Sequence, residues 1–290
     1  MRHRRIMSFY WDNIDPAIVR EQAEVFRHLG YEIEQVESTG LHHGRFLDER
    51  MRSLGVDDSA LFVDIDCIPL NSAIIDRAFA MAEGGGILGC AQASAHVDPD
   101  RIYTGPMFLA VARSTWDSIG QPSFCSTPTS DIAQDVHDAA VREGVDVEYL
   151  EPWATALPQW RLGAEGLFGF GTFYRGGVFH LFQSRDSQYA FLLHELAADV
   201  IADRQPDVLA YCRRALDAYA RNWNRPSERL ARLKSRVRLR SRLRSWWGRA
   251  VKSTAAYAPA KSTARASSTM AARQPQEVGP VGGEFDQSAG

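Results

Sequence analysis

The four cysteines offer no pairing scheme. Cys67, Cys90, Cys125 and Cys212 make no C-x-x-C pair and no zinc-type spacing, which argues against a structural metal knot or a disulfide framework and leaves reduced thiols as the expectation. No apolar run approaches the roughly 20 residues needed to cross a bilayer. The apolar stretch behind the basic start, Met1 to Arg5, ends at Asp12, too short for a secretory signal core, so a cytoplasmic setting is expected. No G-x-G-x-x-G follows the first apolar segment, so a dinucleotide cofactor is not indicated. Internal repeats are absent as well.

With 290 residues and 45% apolar content, the chain can bury one large core or two modest ones. Its formal charge of -3 conceals an asymmetry: residues 221–252 hold 12 Lys+Arg and 1 Glu, a local +11, so the remainder carries -14. The expected organisation is a globular domain over 1–220, a basic amphipathic helix over 221–252 and a disordered tail over 253–290, where Ala, Ser, Thr, Pro, Gly and Gln accumulate without periodicity.

Ile6 to Trp11 reads as a strand, Asp15-Pro16 as a cap, Ala17 to Leu29 as a helix closed by Gly30, and Tyr31 to Val36 as a second strand. Gly44 to Leu54 is a helix and Leu61 to Val63 a third strand. This alternation predicts an α/β fold: a mostly parallel, Rossmann-like sheet flanked by helices. Further on, Ser72 to Ala82 and Ser130 to Glu143 read as helices, and Ile87 to Cys90, Pro106 to Val111 and Val147 to Leu150 as strands. Leu167 to Phe182 is more loop and strand than helix, and two C-terminal helices, Gln188 to Asp203 and Pro206 to Tyr219, close the domain.

The stretch from Leu61 to Leu70 organises the rest: an apolar run enters two carboxylates, Asp64 and Asp66, spaced i, i+2. On a strand these point to one side, and Pro69 is expected to stop the ladder. Ligands of open α/β sheets bind at the carboxyl ends of strands, and a hard divalent cation is a common reason to gather carboxylates there. The plainer reading of the triplet alone is two aspartates capping a helix or solvated at a strand end.

The chain resembles the GT-A glycosyltransferases, within them most the glycogenin and bacterial galactosyltransferase type. Arg45 in Gly44-Arg45-Phe46-Leu47, Asp64-Ile65-Asp66, a small-residue turn at Thr104-Gly105, Gln134-Asp135 and the late histidine in Val178-Phe179-His180 follow the family's order over about residues 6–185. Leu181-Phe182-Gln183-Ser184-Arg185 departs from the family's late glycine and lysine, with Arg185 standing where a lysine would.

The resemblance implies an enzyme moving a sugar from a nucleotide-diphosphate donor to a glycan or lipid-linked acceptor, with Mn²⁺ or Mg²⁺ held by Asp64, Asp66 and His180. It implies Arg45 and Arg185 as phosphate partners, Tyr10 stacking on the base, Trp11 beside it and Asp12 accepting from a hydroxyl or ring N–H. Thr104, Gly105 and Gln134 join the donor site, and Asp135 is the catalytic carboxylate, with Asp131 its rival. Taken alone, His180 reads as a satisfied core histidine. His42 and His43 read as surface loop residues near the cleft.

For residues 221–252, interleaved Arg, Leu and Trp246-Trp247 fit the anionic face of a membrane, as a peripheral attachment, better than a merely solvated surface. Nucleic acid is disfavoured because only charge points to it. Two other functions compete: a non-catalytic protein acting through that arginine-rich helix, and a haloacid-dehalogenase-type phosphohydrolase. The latter needs its Asp-x-Asp on the first strand and a later lysine, whereas here two strands come first and no lysine lies between Asp66 and Asp217.

Overall fold

Parallel strands need long crossovers, and the first half of the chain supplies them. In the computed structural model, which describes residues 3–94, 98–164, 166–182, 184–185 and 189–223, β1 (Arg4–Tyr10), α1 (Pro16–His28), β2 (Glu34–Glu37), α2 (His43–Ser53) and β3 (Ser59–Asp64) follow one another. Asp15 caps α1 by accepting from the Ala17 amide, with Pro16 in the first turn. Gly30 provides the left-handed exit at φ +89°.

After β4 (Cys67–Pro69) come α3 (Ser72–Glu83), β5 (Ile87–Ser94), β6 (Asp98–Ala112), α4 (Arg113–Ser118), α5 (Gln134–Arg142) and β7 (Val147–Leu150). The main sheet has the order β2-β1-β3-β6-β5-β7. The pairs β1–β2, β1–β3 and β5–β7 are parallel, and β6 alone runs against both its neighbours. This is the expected α/β architecture, with one reversed strand. Leu61 and Val63 of β3 join one buried cluster with Ile75 and Phe79 of α3, whereas Ala60 and Phe62 join another with Phe46 and Met51 of α2. A strand covered on both faces must be apolar throughout, hence the unbroken run.

A second sheet, antiparallel and in the order β4-β10-β9-β8, is built from β4, β8 (Pro152–Leu162), β9 (Gly166–Tyr174) and β10 (Val178–His180). Its cluster, with Ile68, Phe173 and Phe179, also takes Ile18 and Val25 of α1, Leu192 and Leu196 of α6 (Ala190–Ile201) and Tyr211 of α7 (Val208–Trp223).

Several local expectations are corrected. Pro69 is the last residue of β4, so the ladder ends there as expected, but it is itself paired, with Val178, on an edge strand where a missing N–H is tolerated. Thr104-Gly105 is no turn but sits inside β6, next to a register shift that sets Gly89 opposite Leu109 and Cys90 opposite Gly105. The helix expected from Ser130 begins at Gln134, after Ala133 in a left-handed conformation (φ +67°). Residues 221–223 close α7, and the remainder of the expected basic helix, with the tail over 253–290, lies outside the described residues. Among the described residues no helix is long and apolar enough to cross a membrane.

One close approach fixes the start of α2. A Cβ on Gly44 would lie 2.6 Å from Cys125 Cα and 2.8 Å from Phe124 O, and one turn later the buried Asp48 carboxylate accepts from the Phe124 amide (3.0 Å) and the Ser123 hydroxyl (2.9 Å). Gly44→Ala should therefore destabilise the fold by about 1–3 kcal/mol in urea unfolding; an unchanged midpoint would contradict this packing.

Candidate functional site

β3 ends at Asp64, and the chain turns through Ile65 and Asp66 into β4. The carboxylates therefore converge through a turn, rather than by strand alternation alone. Gln22 of α1, fully buried, clamps that turn: its side-chain amide donates to the Asp64 carbonyl at 2.7 Å and the Cys67 carbonyl at 2.8 Å. Its own oxygen accepts from Gln35.

His180 arrives from 114 residues away by sheet register. β10 pairs antiparallel with β4 so that His180 faces Cys67, and the Leu181 amide donates to the Asp66 carbonyl at 2.9 Å. His180, 3% exposed, places Nε2 3.0 Å from Asp66 Oδ1 and 3.7 Å from Asp64 Oδ2. The Ser184 amide donates to Asp66 Oδ2 at 3.3 Å. Phe182, at φ +59°, is a bulky residue in a region that favours glycine, and its ring centroid lies 3.7 Å from that of His180.

Asp64, Asp66 and His180 each offer a ligand atom within 4.8 Å of the others. Two oxygens and an imidazole nitrogen suit Mn²⁺ and are compatible with Mg²⁺. Metal-bound imidazoles usually donate their second nitrogen to an acceptor. Here Nδ1 of His180 is buried without a partner among the described residues, and ring contact with Phe182 supports the imidazole instead.

Burial pushes Asp64 above the usual carboxylate range, and Asp66 adds to this against the opposing pull of His43 and His180. Burial also acts to raise Asp66, but His180 and the bonds from Ser184 outweigh it and hold Asp66 below the usual range. The two carboxylates are thus shifted in opposite directions. Burial likewise drives the Tyr103 hydroxyl well upward, with Asp131 and then Asp64 adding to it.

The cluster opens into a cavity of about 840 Å³. Of the expected site residues, Tyr10, Trp11, Asp64, Asp66, His180 and Arg185 line it. Arg185 lies over the Trp11 ring at 4.2 Å, a cation–π contact between two lining residues, and the Trp11 indole donates to the Leu41 carbonyl.

The others lie elsewhere. Asp12 is exposed beyond the end of β1, outside the lining. Arg45 is exposed on α2; at about 100° per residue it is turned roughly 200° from His43, and it is His43 that lines the cavity. Thr104 and Gly105 are buried in β6 while their neighbours Tyr103 and Pro106 reach the cavity. Gln134 is buried, its side-chain oxygen accepting from the Asp131 amide at 2.8 Å. Asp135, in the first turn of α5, is not part of the lining; Asp131 is.

Gln92, Tyr103 and Gln22 went unread because a lone polar residue carries no local signal; His43, expected as a surface loop residue near the cleft, instead opens α2 and lines the cavity. A carboxamide inside the amphipathic run of α1 was the one hint of Gln22.

Replacing Asp66 by Ala strands a buried imidazole and a buried amide, and should cost about 2–4 kcal/mol in cation-free urea unfolding. Asp64→Ala, at a part-exposed carboxylate, should cost less. Because Asp66 is held below its unfolded value of ~3.9, its contribution is complete above that pH and is lost as pH falls through the lower folded value. Asp66→Asn should flatten this part of the acid limb; an unchanged limb would remove the assignment.

No family model matches the sequence, and no curated protein matches it. Among solved structures, the chain is similar to a mutant of Drosophila β-1,4-galactosyltransferase 7 in complex with manganese, UDP-Gal and xylobiose, with 12% identity, a TM-score of 0.38 and coverage of 51% of this chain. It spans 64% of that chain, less than two thirds of its length. It is also similar to the mannosyltransferase PcManGT from Pyrobaculum calidifontis with GDP-Man and Mn²⁺, with 14% identity, a TM-score of 0.36 and coverage of 84% of this chain and 82% of that one. Likenesses at these scores carry no argument about this chain's activity.

Proposed function

We propose that this chain is a cation-dependent glycosyltransferase that takes a sugar from a nucleotide diphosphate to a hydroxyl of a glycan or lipid-linked acceptor. The observation that carries the reading is the Asp64, Asp66, His180 cluster at the carboxyl end of β3, opening into a cavity that Arg185 also lines. Phosphohydrolases of the Asp-x-Asp type need a lysine that this half of the chain lacks.

Held by Asp64, Asp66 and His180, a divalent cation would supply positive charge against the leaving diphosphate. Arg185 adds a fixed guanidinium suited to phosphate oxygens. Tyr10 and Trp11 offer aromatic faces to the base. The catalytic part expected of Asp135 passes to Asp131, the carboxylate that reaches the cavity. As the acceptor oxygen bonds to the anomeric carbon and the bond to the diphosphate breaks, the hydroxyl proton passes to the Asp131 carboxylate. Gln134 holds Asp131 in place through its backbone amide.

A screen of sugar nucleotides by calorimetry with Mn²⁺ should find a donor bound only with the cation. Asp64→Ala should abolish that binding, while Asp131→Asn should lower turnover by about 10²–10⁴-fold with donor affinity little changed. Cation-independent binding, or an Asp131→Asn variant with full turnover, would defeat the respective assignment.

A further inference from the structure

Resting on that reading of the cation site, we propose that His43 is a positioning residue for Asp64, fixing which carboxylate oxygen is turned toward the cation. The two oxygens of Asp64 face different imidazoles: Oδ1 lies 3.5 Å from His43 Nε2 and Oδ2 lies 3.7 Å from His180 Nε2. Oδ2 is on the side of His180; His43 is not part of the three-residue ligand set. At 3.5 Å the His43 contact is longer than a tight hydrogen bond, so His43 steers the carboxylate without tying up both lone pairs.

Three features hold the His43 ring. It opens α2, and α2 is seated by the close approach of Gly44 to the Phe124–Cys125 backbone. Its imidazole stacks on Phe9 of β1, with ring centroids 5.8 Å apart and planes at 18°. Phe9 is itself stacked on Phe46, one turn along α2. The ring is about a quarter exposed, and it lines the cavity.

A carboxylate that ends a strand has one free torsion to set its plane. Asp66 has that plane fixed by His180 and the Ser184 amide. Asp64 has no such backbone donor among the described residues, and His43 supplies the missing restraint. Outer partners of this kind orient metal ligands, and their loss typically weakens binding 10- to 100-fold.

The test uses the full chain and Mn²⁺ as the probe. His43→Phe keeps a ring on Phe9 and removes the nitrogen; His43→Gln restores a side-chain N–H. By calorimetry at neutral pH, His43→Phe should bind Mn²⁺ about 10- to 100-fold more weakly than the wild type, with its cation-free urea midpoint unchanged, and His43→Gln should recover most of the affinity. Wild-type affinity in His43→Phe, or equal weakness in both variants, would overturn the proposal. So would a cation-free midpoint lowered equally in both, which would make His43 a packing residue. A wild-type chain that binds no Mn²⁺ would bring down the cation reading beneath it, and that result is visible before any variant is compared.

Discussion

Three residue pairs hold the site together: Val178 with Pro69, Phe179 with Ile68 and His180 with Cys67. Without that short antiparallel contact the Asp-x-Asp turn would be an acidic strand end open to water, and His180 would belong to a different sheet. The pairing is extended at both ends, by the Leu70 amide donating to the Gly177 carbonyl and the Leu181 amide donating to the Asp66 carbonyl. A three-residue ladder is weak by itself. It persists because Ile68 and Phe179 bury their side chains in the cluster shared with α1 and α6, so apolar burial drives the pairing and the register follows from it.

Placing an imidazole between two acids has a cost that the surroundings must meet. Asp66 meets it with two donors and a depressed pKa, whereas Asp64, pushed upward by burial and by its neighbour, is the less satisfied member. The strain in Phe182 belongs to the same account. A left-handed phenylalanine is disfavoured, but it lets the chain reverse immediately after His180, laying its ring on the imidazole and bringing the Ser184 amide to Asp66.

What the sequence made legible follows from the range of the interactions. The helix α1 was readable at both ends because its cap and its glycine exit are local, and β3 because double burial leaves an unbroken apolar run. β8 was not, since Pro152 and Pro158 speak against a strand; Pro152 is its first residue, Pro158 adjoins a register shift, and β8 is an edge strand. Asp64 and Asp66 were legible as neighbours. His180 was reached through resemblance, because nothing within ten residues of it announces a partner at Cys67. Arg45 and Asp135 mark the limit of such reasoning: each lies within a few residues of the side chain that lines the cavity, His43 or Asp131, and helical phase and the true start of the helix decide between them.

Charge then decides what the cavity accepts. Among the described residues its lining carries three carboxylates, Asp64, Asp66 and Asp131, against one guanidinium, Arg185, which already lies over the Trp11 ring. An anionic ligand entering alone meets repulsion that a low-dielectric wall strengthens. Two of the three carboxylates lie in one cluster with His180, while Asp131 stands apart beside Tyr103. A divalent cation at the cluster would therefore offset the negative charge of Asp64 and Asp66 without engaging Asp131. Two of the cavity's acidic residues are gathered where an ion could offset them and the third stands apart from them, and on the function proposed above that division, more than any single residue, is what would suit the pocket to an anionic donor and a neutral hydroxyl.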